Sequence, residues 1–215
     1  MRHKGLILST VFSILAVILS YLLGSLSFAV IISRLMGLND PRTYGSKNPG
    51  ATNVLRSGSK AAAITTLLLD AVKGWLPVVL IAWFGKAYGL EEGTMAAAGL
   101  AAFLGHLYPV FFRFVGGKGV ATALGVLLGF SGWLGLLVLL SWVVVAAIWR
   151  YSSLSSLVAA VLAPVYYILL GGECWEFSQW IFAAIVVMSL LLIYRHKLNI
   201  QRLLEGKESK LGKKK

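Results

Sequence analysis

Three short segments of this 215-residue chain combine cations, hydroxyl groups and glycines at spacings suited to holding a phosphate. The first runs Tyr44-Gly45-Ser46-Lys47-Asn48-Pro49-Gly50-Ala51-Thr52-Asn53 and is followed by Arg56. Asn48-Pro49-Gly50 is a turn signal, and Gly45 permits close backbone approach. Around that turn Asn48, Ser46, Thr52 and Asn53 offer hydrogen-bonding groups, while Arg42 and Arg56 offer planar forks that match phosphate oxygens. An ordinary polar loop between helices has a similar composition, so both readings stand at this point.

The second segment, Gly116-Gly117-Lys118-Gly119, leads straight into an apolar run from Val120. Glycines free backbone N–H groups to form an anion-binding nest, and a following helix adds its positive N-terminal end. Gly119 stands where a Walker A loop needs Ser or Thr, so this is a different kind of nest. Phosphate binding is favoured over a flexible turn with one snorkelling lysine. The third segment is Arg195-His196-Lys197-Leu198-Asn199-Ile200-Gln201-Arg202. On one helix, Asn199 would share a face with His196 and Arg195. Residue types alone favour a plain electrostatic anchor to anionic lipids here. Asp70 and Lys73 lie inside another apolar run, where charges are expensive. Substrate contact and a structural ion pair are both open for them. His106, with Pro109 close behind, reads as a satisfied histidine in a kinked helix.

The elements that must position these groups are membrane helices. The chain is 58% hydrophobic and only 13% charged. A soluble domain of this size carries roughly 25% charged residues. Apolar stretches lie at about 5–36, 61–84, 94–114, 120–149, 152–171 and 178–194. A spanning helix needs about 20 such residues. As one helix, 120–149 would be about 45 Å long, far beyond the hydrocarbon core. Gly129, Ser131, Gly132 and Gly135 mark a reversal within it. That reversal makes seven spans of a single all-α polytopic domain, 1–215, and puts every basic loop on one side. The loops 37–60, 115–119, 150–153 and 195–215 then face the cytoplasm, as positive-inside placement demands. Lys86, Glu91, Glu92, Glu173 and Glu176 face outward. Arg2 and Lys4 prefer the inside, whereas a single first helix puts them outside. Gly24, Ser25 and Ser27 are candidate breaks that keep both options open.

Twenty Lys/Arg against eight Asp/Glu give a net charge of +12. Nucleic-acid binding is the bland explanation of that balance, but these cations flank membrane spans. The lone Cys174 can form no intrachain disulfide, and no metal-type Cys/His spacing exists. The apolar run from Gly5 to Met36 is too long for a signal-peptide core, so it reads as retained. The tail from Lys207 reads as a short mobile basic segment.

Taken together, these segments resemble the bacterial acyl-phosphate:glycerol-3-phosphate acyltransferase family (PlsY). The resemblance rests on Gly45-Ser46 through Arg56, on Gly105-His106-Leu107-Tyr108-Pro109 with Gly116-Gly117-Lys118-Gly119-Val120-Ala121-Thr122, and on Arg195 through Ile200. It covers nearly the whole chain. Ser27 departs from a usual Pro, and Lys47 from a usually small loop residue. The resemblance implies seven helices in the bacterial inner membrane, with the N-terminus outside, the C-terminus inside and the site at the cytoplasmic face. It implies acyl transfer from acyl phosphate to the 1-hydroxyl of glycerol 3-phosphate, with no cofactor, no metal, no nucleic acid and no obligate protein partner. Ser46 and Arg56 would then serve catalysis and donor binding. The Gly116–Gly119 loop with Lys118 would hold a phosphate, His196 and Asn199 would complete the site, and Glu208 would be structural.

The residues fit such chemistry without that comparison. An acyl phosphate carries a good leaving group, so positioning and anion stabilisation do most of the work. No His-x4-Asp pattern follows His106 or His196. The base is either His196 or a substrate phosphate oxygen. A transporter for an organic phosphate, which would use the same cations with Asp70 and Lys73, is the competing class. A lipid-binding scaffold built on the basic tail is a third, and truncation after Glu208 would then abolish function.

Overall fold

The computed structural model describes residues 2–212, without the side chains of residues 2–4 and 6. Arg2 and Lys4, on which the side of the N-terminus turned, and Lys213 to Lys215 of the basic tail therefore lie outside the described side chains. Among the described residues the chain is helical and forms no strand. The helices are α1 (Arg2–Gly24), α2 (Phe28–Leu35), α3 (Ala51–Val54), α4 (Lys60–Phe84), α5 (Glu92–Leu107), α6 (Val120–Phe130), α7 (Gly132–Trp149), α8 (Ser152–Leu169), α9 (Gln179–Arg195) and α10 (Lys197–Leu204).

The expected break in the long apolar run is present, and so is the one that Gly24, Ser25 and Ser27 left open. The first apolar run parts between Gly24 and Phe28. The long run parts at Ser131, which is extended (φ −155°, ψ 126°) and caps α7 by accepting from the Leu134 N–H at 3.4 Å. The reversal closes tightly: a methyl on Gly135 would overlap Leu128, and small residues bring other backbones together as well. A methyl group on Gly125 would overlap the carbonyl oxygen of Ala71, and one on Gly74 that of Thr122, so α4 and α6 pack almost backbone to backbone.

Polarity runs opposite to that of a soluble domain. Ile14, Leu19, Leu68, Val144 and Leu190 are exposed on the flanks, whereas Ser25, Ser33, Thr66, Asp70, Lys73, His106 and Thr122 are buried. Phe103, Leu107, Val126, Leu134 and Ile185 fill the apolar core between α5, α6, α7 and α9. Exposed Trp83, Trp133 and Trp180 sit at one set of helix ends and Trp149 and Tyr194 at the other, where aromatic belts belong.

The helices meet the expectation of seven crossings in part. Five segments are long and apolar enough to cross alone: Ile7–Gly24 of α1, Lys60–Tyr88 from α4 into the turn after it, Glu92–Phe112 from α5 into the turn after it, and Gly132–Trp149 and Ser152–Leu169, which are α7 and α8. A sixth is α9 taken with α10, from which it is bent by 56°. Only α6 falls short, with 11 residues. At 1.5 Å per residue it is about 16 Å long, roughly half the hydrocarbon thickness. The glycine segment, 115–119, precedes α6 directly and is irregular backbone. Such backbone is tolerated at depth only when it is buried in protein or lines a cavity.

Candidate active site

The glycine segment is docked on the C-terminal end of α5. The Gly117 N–H donates to the His106 carbonyl at 3.1 Å. From α9, Arg195 donates through Nη2 to the carbonyls of Gly116 (2.9 Å) and Gly117 (3.0 Å), and through Nε to Gly117 (3.2 Å). These contacts explain why glycines are required. A methyl on Gly116 would overlap the His106 carbonyl oxygen, and one on Gly117 would overlap Nε2 of the His106 ring. Gly119 adds a left-handed conformation (φ 87°) that a larger residue would strain. The expected nest is therefore displaced by one residue. Gly117 spends its N–H on His106, and the donors left open belong to the first turn of α6, whose N–H groups have no intrahelical acceptor.

Lys118 points from this loop to the third segment. Its Nζ donates to Oδ1 of Asn199, whose Nδ2 in turn donates to Oε1 of Glu208 at 2.6 Å. Glu208 also accepts from Ser153 Oγ at 2.7 Å and from Arg202 Nε at 2.7 Å. Burial pushes the Lys118 ammonium down to about 8; the Glu208 carboxylate opposes that shift, while Arg202, Arg195 and Arg56 reinforce it. His196 is 2% exposed and sits at the bend between α9 and α10. Its Nδ1 lies 2.8 Å from the Leu192 carbonyl, which fixes a proton on Nδ1 and leaves the lone pair on Nε2. Burial first, and Lys118 second, push its pKa down to about 4. The neighbour in sequence, Arg195, contributes less than Lys118, so the main charge acting on the ring comes from the glycine loop.

The first segment lies over the other two. The Pro49 carbonyl oxygen is close to Gly117, Thr52 Oγ1 is 3.5 Å from Ser152 Oγ, and Arg56 Nη2 donates to Ser209 Oγ at 2.8 Å. Gly45 (φ 58°) packs on Arg56, which brings Ser46 beside that guanidinium. Ser46, Thr52 and Arg56 are exposed and Asn48 is half-buried. Asn53 is buried and committed to the loop itself: its Oδ1 accepts from the Ser46 N–H at 3.0 Å, and its Nδ2 donates to the carbonyls of Pro41 (2.6 Å) and Tyr44 (3.2 Å). It shapes the loop rather than presenting a free group. Arg42 is likewise occupied, paired with Asp40 at 2.6 Å. Arg56 is thus the open guanidinium of the pair.

Asp70 and Lys73 open on none of these loops. They pair with each other at 2.8 Å, each about 2% exposed, and Lys73 Nζ donates to the Leu26 carbonyl at 2.7 Å. His106, expected to be satisfied, holds Nδ1 3.6 Å from Asp70 Oδ1, beyond a hydrogen bond. The tail from Lys207 is not free either. The N–H groups of Lys207 and Glu208 bond to the Arg202 carbonyl, and Leu211 exchanges bonds with Arg150 through its N–H (2.6 Å) and its carbonyl (3.0 Å). Residues 205–212 form a strap across the site, and Glu208 is the counter-charge that holds it there. Sequence reasoning missed Arg195 as the clamp of the glycine loop and Ser153 as a partner of Glu208. Nothing in local spacing reports either contact.

Comparison with known proteins gives the family and the fold. The family model for glycerol-3-phosphate acyltransferase matches residues 14–206. The chain belongs to the glycerol-3-phosphate acyltransferase family. The protein of that name from Albidiferax ferrireducens is 68% identical over 94% of this chain and 91% of its own. The one from Ralstonia nicotianae is 58% identical over 96% and 98%. Among solved structures, PlsY (YgiH), an integral membrane glycerol 3-phosphate acyltransferase, superposes in its glycerol 3-phosphate form with a TM-score of 0.84 at 40% identity, covering 93% of this chain and 96% of that one. Its lysophosphatidic acid form gives 0.83 at 39% identity over 93% and 95%. The family's membership also places this chain among multi-pass membrane acyltransferases.

The electrostatics of Lys118 give a direct test. Neutral amine is the reactive form, so acylation of Lys118 by an amine reagent, followed by mass spectrometry, should rise with pH through about 8. Glu208→Gln removes the charge that raises this pKa and should move the curve to lower pH. An unmoved curve would show that Glu208 does not face Lys118 in solution.

Proposed function

We propose that this chain forms one domain over residues 1–215, crosses the bacterial inner membrane seven times, and transfers an acyl group from acyl phosphate to the 1-hydroxyl of sn-glycerol 3-phosphate on the cytoplasmic side. The products are 1-acyl-glycerol 3-phosphate (lysophosphatidic acid) and phosphate, in the first step of phospholipid synthesis. The observation that carries this reading is the recessed glycine loop, where Lys118, Asn199 and the open first turn of α6 meet beneath Arg56 and Ser46. Relatives whose names specify glycerol-3-phosphate acylation, and a solved relative in glycerol 3-phosphate and lysophosphatidic acid forms, support it. A transporter would present polar groups to both faces. Here the internal charges Asp70 and Lys73 are closed upon each other.

In this reading the helix start and Lys118 hold the glycerol 3-phosphate phosphate, and Arg56 with Ser46 holds the donor phosphate. Asn48 and Thr52 line the approach, and Asn53 keeps the loop in shape. His196 and Asn199 orient the glycerol backbone. The hydroxyl oxygen attacks the acyl carbon, the bond from that carbon to the phosphate oxygen breaks, and phosphate leaves with its charge met by fixed cations. The hydroxyl proton passes to a phosphate oxygen. A histidine held at about 4 is a weaker proton acceptor than a phosphate with a pKa near 6, so substrate assistance fits the site better than His196 as base.

Purified protein in detergent should form 1-acyl-glycerol 3-phosphate and release phosphate when given acyl phosphate, and stay inactive with acyl-CoA. Turnover with acyl-CoA alone would overturn the choice of donor. With acyl phosphate, activity should rise with pH through a group near 6. That limb should survive in His196→Ala at reduced rate. A limb near pH 4 in the parent protein that vanishes in His196→Ala would instead make His196 the base.

A further inference from the structure

Buried charge inside the bundle has no part in the chemistry above, yet it reaches the site through a series of close approaches. At one end the chain breaks between α1 and α2, and the Leu26 carbonyl is satisfied by Lys73 Nζ at 2.7 Å. Lys73 pairs with Asp70 at 2.8 Å, and the same Asp70 Oδ1 faces His106 Nδ1 at 3.6 Å. The other side of the His106 ring meets the glycine loop, since a methyl on Gly117 would overlap Nε2. The backbone carbonyl of His106 accepts the Gly117 N–H. Asp70 lies ten residues into α4, about 15 Å along its axis. A buried pair at that depth costs stability that apolar residues would not, so holding a functional element is the physical reason to keep it.

We infer that Lys73, Asp70 and His106 are positioning residues that set the height and orientation of the Gly116–Gly119 loop, and through it the affinity for the phosphate of glycerol 3-phosphate. None of the three touches substrate. Lys73 anchors Asp70 to the break at Leu26, the Asp70 carboxylate acts on the His106 imidazole by charge across 3.6 Å rather than by a hydrogen bond, and that imidazole is the floor on which Gly117 rests. A small tilt of the ring shifts the first-turn N–H groups of α6 relative to the bound phosphate, and misplacements of about 1 Å cost up to two orders of magnitude. The inference rests on the reading that this loop binds glycerol 3-phosphate, so its test must separate the two.

Steady-state kinetics in detergent, with each substrate varied in turn, provide that test. Lys118→Met examines the loop itself and should raise KM for glycerol 3-phosphate. Asp70→Asn keeps the shape of the carboxylate, and His106→Leu keeps the bulk of the ring while losing Nδ1. Each should raise KM for glycerol 3-phosphate by about tenfold or more and leave KM for the acyl donor within about twofold. His106→Asn, whose amide nitrogen can stand where Nδ1 does, should recover most of the loss. Should His106→Leu fail to fold, Asp70→Asn and His106→Asn decide the matter. If Lys118→Met raises KM for glycerol 3-phosphate while Asp70→Asn does not, the positioning inference falls and the loop reading survives. Equal losses for both substrates, or for kcat alone, would also overturn it, because they report general damage. If Lys118→Met leaves KM unchanged, both fall together.

Discussion

The docking of Gly117 on His106 is the contact from which the rest of the site follows. One backbone hydrogen bond of 3.1 Å, backed by the three from Arg195, holds a stretch of non-helical chain buried against the C-terminal end of α5. Unsatisfied backbone at that depth would cost several kcal/mol per group. The carbonyls of Gly116 and Gly117 are answered by a guanidinium and the Gly117 N–H by a carbonyl. The donors then left open are those of the α6 start, gathered at one spot beside Lys118. The shortness of α6, the glycines and the placement of Arg195 are consequences of the same constraint.

Electrostatics complete the site. Arg202, Arg195 and Arg56 act on Lys118 across the three segments, and Glu208 is the carboxylate set against that shift. Buried like charges repel strongly, so the cluster without substrate depends on that counter-charge and on the strap that carries it. A phosphate is a better partner for the same cations, which is the sense in which the site is prepared for its ligand. The environment that strengthens anion binding also holds His196 neutral, which fits the orienting role proposed for it better than that of a proton carrier.

Much of this could be read from residues alone. The reversal at Ser131 followed from helix length and four nearby small residues, whereas Gly24, Ser25 and Ser27 marked a candidate break that the structure decides. The convergence of the three polar segments followed from positive charge on one side of the membrane, and motif order named the family. What escaped was contact between distant elements. Asn53 looks like a ligand group in sequence, but its partners Pro41, Tyr44 and Ser46 lie in its own loop. Arg42 looks free until Asp40 folds onto it. A helical face joining Arg195 to Asn199 assumed a straight helix, whereas the chain bends at His196, and the groups meet because Lys118 and Gly117 come to them from another part of the chain. The tail looked mobile because its basic residues dominate its composition, while the residue that docks it is its one acid near the site, Glu208.

Hydrogen–deuterium exchange of the purified protein, followed with and without glycerol 3-phosphate, tests the central claim most directly. The amides of Lys118 to Ala121 should exchange in the free protein and become protected on addition of glycerol 3-phosphate, while Gly117, already bonded to His106, should be protected in both states. Exchange at Lys118 to Ala121 that is unaffected by glycerol 3-phosphate under saturating conditions would contradict a phosphate site at the start of α6.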